Sequence, residues 1–251
     1  MSFHWWRTVF WLIPTIGIYT VVLGILSIGS SLFDRRGYFA HACARAWSRL
    51  ILATTGVDVE VEGLDRLEPG RTYVFVANHQ SIYDIPILFW SLPFQLRIIA
   101  KESLGSFPML GPHLKRTGHM LVDRKHPDRL RILDWARNLT AKGLSLIVFP
   151  EGTRSRDGFL GKFKGGGFLL ALQSGLPVVP ISVIGSRHVM RKGELTTRPG
   201  RVKVIVHAPI APPAHGDQHL TAEVRGFAER VRTVIQPAVE AEASSFRDRT
   251  S

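Results

Sequence analysis

Two different hydrophobic patterns divide the chain. Residues 8–33 carry no charged side chain, with Arg7 before them and Asp34, Arg35 and Arg36 after. Crossing a hydrocarbon layer of ~30 Å takes ~20 helical residues, so this run is long enough to do so. Trp5, Trp6, Trp11 and Tyr19 add amphipathic rings, and those near its start suit a headgroup boundary. Pro14, Gly17, Gly24 and Gly29 equally permit a kinked or re-entrant helix, so spanning and re-entry both stay open. The run is too long for a signal-peptide core and lacks a small-residue cleavage site, which argues for a retained segment. Next, Phe39, Ala42, Ala46, Leu50 and Ala53 recur at helical spacing among His41, Arg45 and Arg49. That predicts an amphipathic helix lying on a membrane or packed under the first one.

From residue 57 the pattern changes to short β-branched runs, at 57–61, 72–77, 96–100, 119–122, 144–149, 178–183 and 202–207. Helical candidates lie between them at 82–90, 127–141 and 166–174. This alternation predicts an α/β fold with a mixed, largely parallel sheet flanked by helices. Leu220, Val224, Phe227, Val231, Val234 and Ile235 form one more core-facing stripe, ending near Pro237. The expected organisation is a membrane-anchoring helical segment at 1–55, an α/β domain at 56–242 and a polar, frayed tail at 243–251.

Composition narrows the partners. At 45% hydrophobic residues and a mean hydropathy of +0.08, the chain is neither disordered nor polytopic. A single cysteine, Cys43, excludes an internal disulfide framework and a thiolate zinc cluster. The net charge of +12 implies an anionic partner: nucleic acid, an anionic membrane surface or a phosphorylated substrate. The excess is concentrated in the middle of the chain, between residues 97 and 164. Arginines crowd the far side of the apolar run, so the positive-inside bias places the rest of the chain in the cytoplasm.

Four segments carry candidate chemistry. In residues 74–84 an apolar strand breaks into Asn78-His79-Gln80-Ser81 before a helix, the kind of strand-to-helix turn where ligand sites form in α/β sheets. With His79 in the turn and Asp84 in the first helical turn, the carboxylate can fold back on one imidazole nitrogen and leave the other to take a proton. A capping cluster built on Ser81 and Asp84 explains the same letters, and the segment alone does not choose. Residues 146–155 repeat the design: a strand ends in Glu151-Gly152-Thr153-Arg154, where Gly152 admits close backbone approach and Arg154 offers a planar fork for phosphate. Glu151 would orient that arginine or a substrate group; a surface loop with an ion pair is the alternative. Residues 118–124 form a strand ending in Asp123-Arg124, and residues 177–183 an apolar strand. Lys101 and the glycines at 165–167, ahead of a helix, are further anion candidates.

In this order the four segments resemble the four blocks of the glycerolipid acyltransferase superfamily: His-x4-Asp (Asn78 to Asp84), Gly-…-Asp-Arg (Gly118 to Arg124), Phe-Pro-Glu-Gly-Thr-Arg-Ser (Phe149 to Ser155) and the apolar proline block (Val178 to Val183). Asn-His-Gln-Ser and Glu-Gly-Thr-Arg look most like the 1-acyl-glycerol-3-phosphate acyltransferases, and His119-Met120 departs from the bulkier apolar residues usual there. The resemblance implies direct acyl transfer from a CoA or acyl-carrier-protein thioester to lysophosphatidate, with no cofactor and no metal. It implies His79 as base and Asp84 as its orienting partner. Arg154 would hold phosphate with Lys101 and Arg124 as helpers, and Glu151, Gly152 and Thr153 would support the loop. The absence of a Gly-x-Ser-x-Gly elbow agrees with transfer without an acyl-enzyme. The implied setting is the bilayer, at the cytoplasmic face of a bacterial inner membrane. The rivals are another lyso-acceptor such as an aminolipid or glycerol-3-phosphate, a silent lipid-binding scaffold, and a nucleic-acid-binding protein. The last lacks any recognisable motif, so no nucleic-acid partner is expected.

Overall fold

A computed structural model of the protein describes residues 2–34, 36–123, 126, 128–213 and 220–248. The apolar run forms one rod: α1 (Phe3–Arg7) passes through a π-helical turn (Thr8–Leu12) into α2 (Ile13–Ser30). Pro14 accounts for the irregular turn, since it offers no N–H to the preceding turn and its ring displaces the carbonyl there. The amphipathic stretch is α3 (Tyr38–Thr55), which doubles back against α2. Arg7 donates to the Thr55 carbonyl at 2.7 Å and the Trp47 indole donates to Thr20 Oγ1 at 2.9 Å, which binds the two helices as a hairpin.

The remaining elements are β1 (Val57–Glu62), β2 (Val74–Ala77), α4 (Asp84–Ser91), β3 (Leu96–Lys101), α5 (Leu110–Arg116), β4 (Met120–Val122), α6 (Arg129–Thr140), β5 (Ser145–Val148), α7 (Gly166–Ser174), β6 (Val178–Ile184), α8 (Ser186–Val189), β7 (Gly200–Val206) and α9 (Leu220–Asp248). They build one seven-stranded sheet in the order β1-β7-β6-β2-β5-β3-β4. The five strands from β6 to β4 are mutually parallel; β7 runs antiparallel to β6 and carries β1 parallel to itself. This is the mixed, largely parallel α/β sheet expected from the alternation of runs. Every residue of β2 and β5 is buried, as strands covered on both faces must be, whereas the edge strand β1 buries only Val57 and then alternates exposed and partly buried positions. One core packs Phe75, Ile87, Leu88, Ile181 and Val204 on the α4 side; the other packs Val74, Leu146, Phe168, Phe227 and Val231 under α7 and α9.

Three differences from the sequence reading have local causes. The helix expected from residue 82 starts at Asp84, because residues 78–83 are held in a turn by that carboxylate. Among the elements unforeseen is α5, a short helix with Gly111 and Pro112 inside its first turn; a Cβ on Gly111 would sit 2.2 Å from the Gly105 carbonyl oxygen. The C-terminal stripe does not stop near Pro237, and the polar tail expected from 243 is helical as far as Asp248. Val239 and Ala243 stay buried, and Glu242 lies 3.3 Å from His188, so packing carries the helix past the proline.

Candidate active site

The parallel register sets the site. β2, β5, β3 and β4 lie side by side, so the segments that leave their carboxyl ends gather along one edge of the sheet. Those segments begin with Asn78-His79, Glu151-Gly152-Thr153-Arg154, Lys101 and Asp123-Arg124 respectively. Arg124 itself lies outside the described residues.

Asp84 is fully buried at the start of α4, and its Oδ2 accepts three hydrogen bonds: from Gln80 N–H at 2.7 Å, Ser81 N–H at 2.9 Å and His79 Nδ1 at 2.7 Å. The hydrogen bond foreseen between His79 and Asp84 is present, whereas the capping alternative is not: α4 has no side-chain cap, and Asp84 binds backbone N–H groups of the turn that precedes it. Ser81 Oγ instead donates to the Met190 carbonyl at 2.8 Å. A carboxylate that accepts from Nδ1 fixes the imidazole tautomer with its hydrogen on that nitrogen, and leaves Nε2 as the acceptor. Phe149 stacks on the other side of the ring, with centroids 4.2 Å apart and planes 23° from parallel. His79 is only 8% exposed, so one edge of the ring remains accessible.

Asn78 fixes the strand end from which His79 leaves. Its side chain donates to the Val183 carbonyl at 2.8 Å and accepts from the Val183 N–H at 2.7 Å, which locks β2 to β6. Of the two roles the sequence allowed Glu151, orienting the arginine or a substrate group, the first is not seen. Its Oε1 accepts the His79 N–H at 2.8 Å and its Oε2 accepts the Gly161 N–H at 3.1 Å. Burial pushes this carboxyl above its ordinary range, and the two backbone donors pull it back down. Ser155 N–H completes the junction by donating to the His79 carbonyl at 2.7 Å. The His79 and Arg154 segments are thus bonded to each other at two points, the His79 N–H to the Glu151 carboxylate and the Ser155 N–H to the His79 carbonyl.

Gly152 has φ +71°, a conformation that a side chain would strain, and the Lys164 ammonium packs where its Cβ would stand. Thr153 Oγ1 accepts from Lys192 Nζ at 2.8 Å, and the same ammonium donates to the Arg154 carbonyl at 2.7 Å. Lys192 was not singled out in the sequence; it belongs to no motif, and only the turn after α8 brings it here. The Arg154 guanidinium makes no hydrogen bond or ion pair with the described residues, and Lys101 is exposed at the end of β3. Both cations are open to an incoming anion. Two of the glycines at 165–167 are also required by packing: a Cβ on Gly167 would stand 2.6 Å from Val148, and one on Gly165 2.7 Å from Val224.

Beside this edge opens an apolar cavity of about 190 Å³, walled by α2, α3, α4 and α5, with Ile82, Ile85 and Phe89 along one side. Ile82, three residues after His79 in the chain, is part of its wall; His79 and Arg154 are not. Among the described residues no group of three or more His, Cys, Asp or Glu side chains is placed to hold a metal.

The domain thus holds a buried Asp-His pair, an arginine with no partner among the described residues and, in the same fold, an apolar cavity. Comparison with known proteins gives the family. Residues 58–184, half of the chain, match the family model described as Acyltransferase, and the chain belongs to that family. It is 37% identical over 202 residues to the 1-acyl-sn-glycerol-3-phosphate acyltransferase BAT2, chloroplastic, of Brassica napus, covering 77% of this chain and 58% of the relative. It is 37% identical over 183 residues to the LPAT1 enzyme of the same description from Arabidopsis thaliana, covering 71% of this chain and 51% of that one. The chain thus spans little more than half the length of these relatives. The crystal structure of PlsC, the 1-acyl-sn-glycerophosphate (LPA) acyltransferase of Thermotoga maritima, superposes with a TM-score of 0.70 at 29% identity, over 91% of this chain and 95% of that one.

Proposed function

We propose that the protein transfers an acyl group from a CoA or acyl-carrier-protein thioester to the sn-2 hydroxyl of 1-acyl-glycerol-3-phosphate, giving phosphatidic acid. The observation that carries this is the joining of the His79 turn to the Arg154 loop, in a domain that also holds an apolar cavity. His79 Nε2 takes the hydroxyl proton as the oxygen attacks the thioester carbon. Asp84 Oδ2 supports the imidazolium that forms, and the tetrahedral intermediate expels the thiolate, which receives the proton back from Nε2. Arg154 grips the acceptor phosphate in a two-pronged contact, helped by Lys101, and so brings the hydroxyl to the base. The curated relatives named above act on this acceptor by their descriptions, and the cationic residues favour it over an aminolipid.

The α1–α2 rod supports a membrane setting. It is 28 residues long and mostly uncovered: Phe10 is 64% exposed, Ile18 61% and Ile25 58%. Yet it is tied to the catalytic part near both ends, through Thr197 N–H to Thr8 Oγ1 at 3.0 Å and Ser27 Oγ to His113 Nδ1 at 2.6 Å. A helix fastened to one domain at both ends lies along it. In this reading the hairpin of residues 1–55 therefore sits in one leaflet, on the cytoplasmic face of the inner membrane, and opens the slot to lipid. Carbonate-washed membranes should retain the protein; release by high salt alone would reject embedding.

The test of the activity is an acceptor panel with purified protein in detergent and radiolabelled acyl-CoA. Lysophosphatidate should be acylated well ahead of glycerol-3-phosphate and a lyso-aminolipid. Preference for the aminolipid would overturn the proposal.

A further inference from the structure

The loop from Glu151 to Arg154 gathers more positive charge than one acceptor phosphate needs. Arg154 and Lys101 serve that group in the reading above, yet two further ammonium groups meet the same loop. Lys192 Nζ gives two of its three hydrogens to Thr153 Oγ1 at 2.8 Å and the Arg154 carbonyl at 2.7 Å, which leaves one for another acceptor. Lys164 is held by its own N–H, which donates to the Pro150 carbonyl at 2.9 Å. Its exposed side chain lies along Gly152, where a Cβ would stand 2.8 Å from Nζ and 3.3 Å from Cδ.

The acidic residues close by in the chain are engaged elsewhere. Glu151 accepts the N–H groups of His79 and Gly161, and Asp157 accepts from Ser155 Oγ and the Phe159 N–H. Glu194 pairs with Arg198 at 3.0 Å and with Arg191 at 3.8 Å. The loop adds donors of its own, since none of the described residues accepts the N–H of Thr153 or of Arg154. Successive N–H groups in a turn, with ammonium groups alongside, suit a phosphate. The sheet order also brings cations to the loop from both flanks: Lys101 ends β3 on one side of β5, and Lys192 follows β6 and α8 on the other.

We propose that Lys164 and Lys192 bind the phosphate of the acyl donor's pantetheine arm, beside the acceptor phosphate on Arg154. The inference rests on the acyl-transfer reading above and adds where the donor is held. The phosphate is common to both carriers: in a CoA or an acyl-carrier-protein thioester the sulfur ends a pantetheine arm whose other end is phosphorylated. That arm has to reach His79 while the acceptor is bound, so the two substrates bring two phosphates to one edge of the sheet.

The experiment compares S-oleoyl-4′-phosphopantetheine with S-oleoyl-pantetheine, which differ only in that phosphate, at saturating oleoyl lysophosphatidate. Lys164→Met is the informative variant, because its unbranched stem still covers Gly152 while the charge is gone. The phosphorylated-to-plain ratio of kcat/KM should fall about three- to tenfold from wild type to Lys164→Met, between an exposed ion pair and a charge-assisted hydrogen bond. Lys164→Arg should restore most of it. Oleoyl-CoA and oleoyl-acyl-carrier-protein then separate the sources, since the KM of whichever carrier is used should rise in Lys164→Met. A ratio that matches in wild type and Lys164→Met would overturn the proposal, as would a KM that rises for lysophosphatidate and for neither carrier. Should wild type transfer no acyl group, the functional reading fails, and thermal unfolding still judges the site. The phosphorylated thioester should then raise the wild-type Tm more than the plain one, with the difference lost in Lys164→Met. Equal shifts in wild type would sink the inference.

Discussion

Replacing Glu151 by Gln changes one atom and isolates what positions the base. The wild-type carboxylate accepts at both oxygens, from the N–H of His79 at 2.8 Å and of Gly161 at 3.1 Å. A glutamine has one acceptor oxygen and an NH₂, so one of those backbone donors would face another donor. Leaving a buried N–H unpaired costs about 1–3 kcal/mol, and for a protein of this size that lowers Tm by about 2–12 °C. The kinetic effect should be larger than the thermal one. If the His79 backbone recoils, Nε2 moves with it, and a displacement near 1 Å can cost about a hundredfold in rate. We expect Glu151→Gln to lose roughly ten- to a hundredfold in kcat with little change in acceptor KM. Steady-state assays at saturating acyl-CoA, paired with thermal melts in detergent, read both quantities. Burial pushes this carboxyl upward, so the same variant asks whether the group is ionised when it works. A glutamine enzyme with wild-type kcat and Tm would mean that a neutral side chain suffices, and the two-acceptor account would be wrong.

Three other expectations follow from the same geometry. Asp84→Asn keeps the shape but removes the charge that sets the His79 tautomer, so kcat should fall by about a thousandfold or more while the protein stays folded by circular dichroism. Arg154→Lys retains charge without the planar fork, and should raise the KM for lysophosphatidate by about tenfold with a smaller change for acyl-CoA. His113 is held down to about 4 from 6.5, chiefly by burial and then by the Arg97 charge. Below pH 6.5 the unfolded chain takes up a proton that the folded chain refuses, so stability should decline as pH falls toward about 4. The loss from this group approaches ~3 kcal/mol. His113→Gln should flatten that part of the melting-temperature profile; an unchanged slope would contradict the assignment.

What the sequence made legible was whatever repeats with a short period or sits at a strand end. The β-branched runs gave all seven strands, because a strand buried on both faces has little freedom in its composition. The His79–Asp84 bond was foreseeable from five-residue spacing across a turn, and Arg154 from its place after β5. Contacts made between distant segments were hidden. Glu151 holds the His79 backbone across 72 residues, and Asn78 bonds Val183 across 105; no local pattern encodes such pairings. Phe149 read as an ordinary strand residue until the fold laid it on the imidazole. The loop glycines at 165–167 hid a packing constraint in the same way: two of the three are small because Val148 and Val224 need the room. The apolar N-terminal run left spanning and re-entry undecided because hydropathy carries no information about Thr197 and His113, to which the rod is tied.

The most direct measurement is a crystal structure of His79→Ala with lysophosphatidate bound. Without the imidazole the acceptor should persist unreacted, its phosphate on the Arg154 guanidinium and its free hydroxyl in the space vacated by Nε2. A phosphate bound elsewhere, with the hydroxyl out of reach of position 79, would remove the basis for the reaction described here.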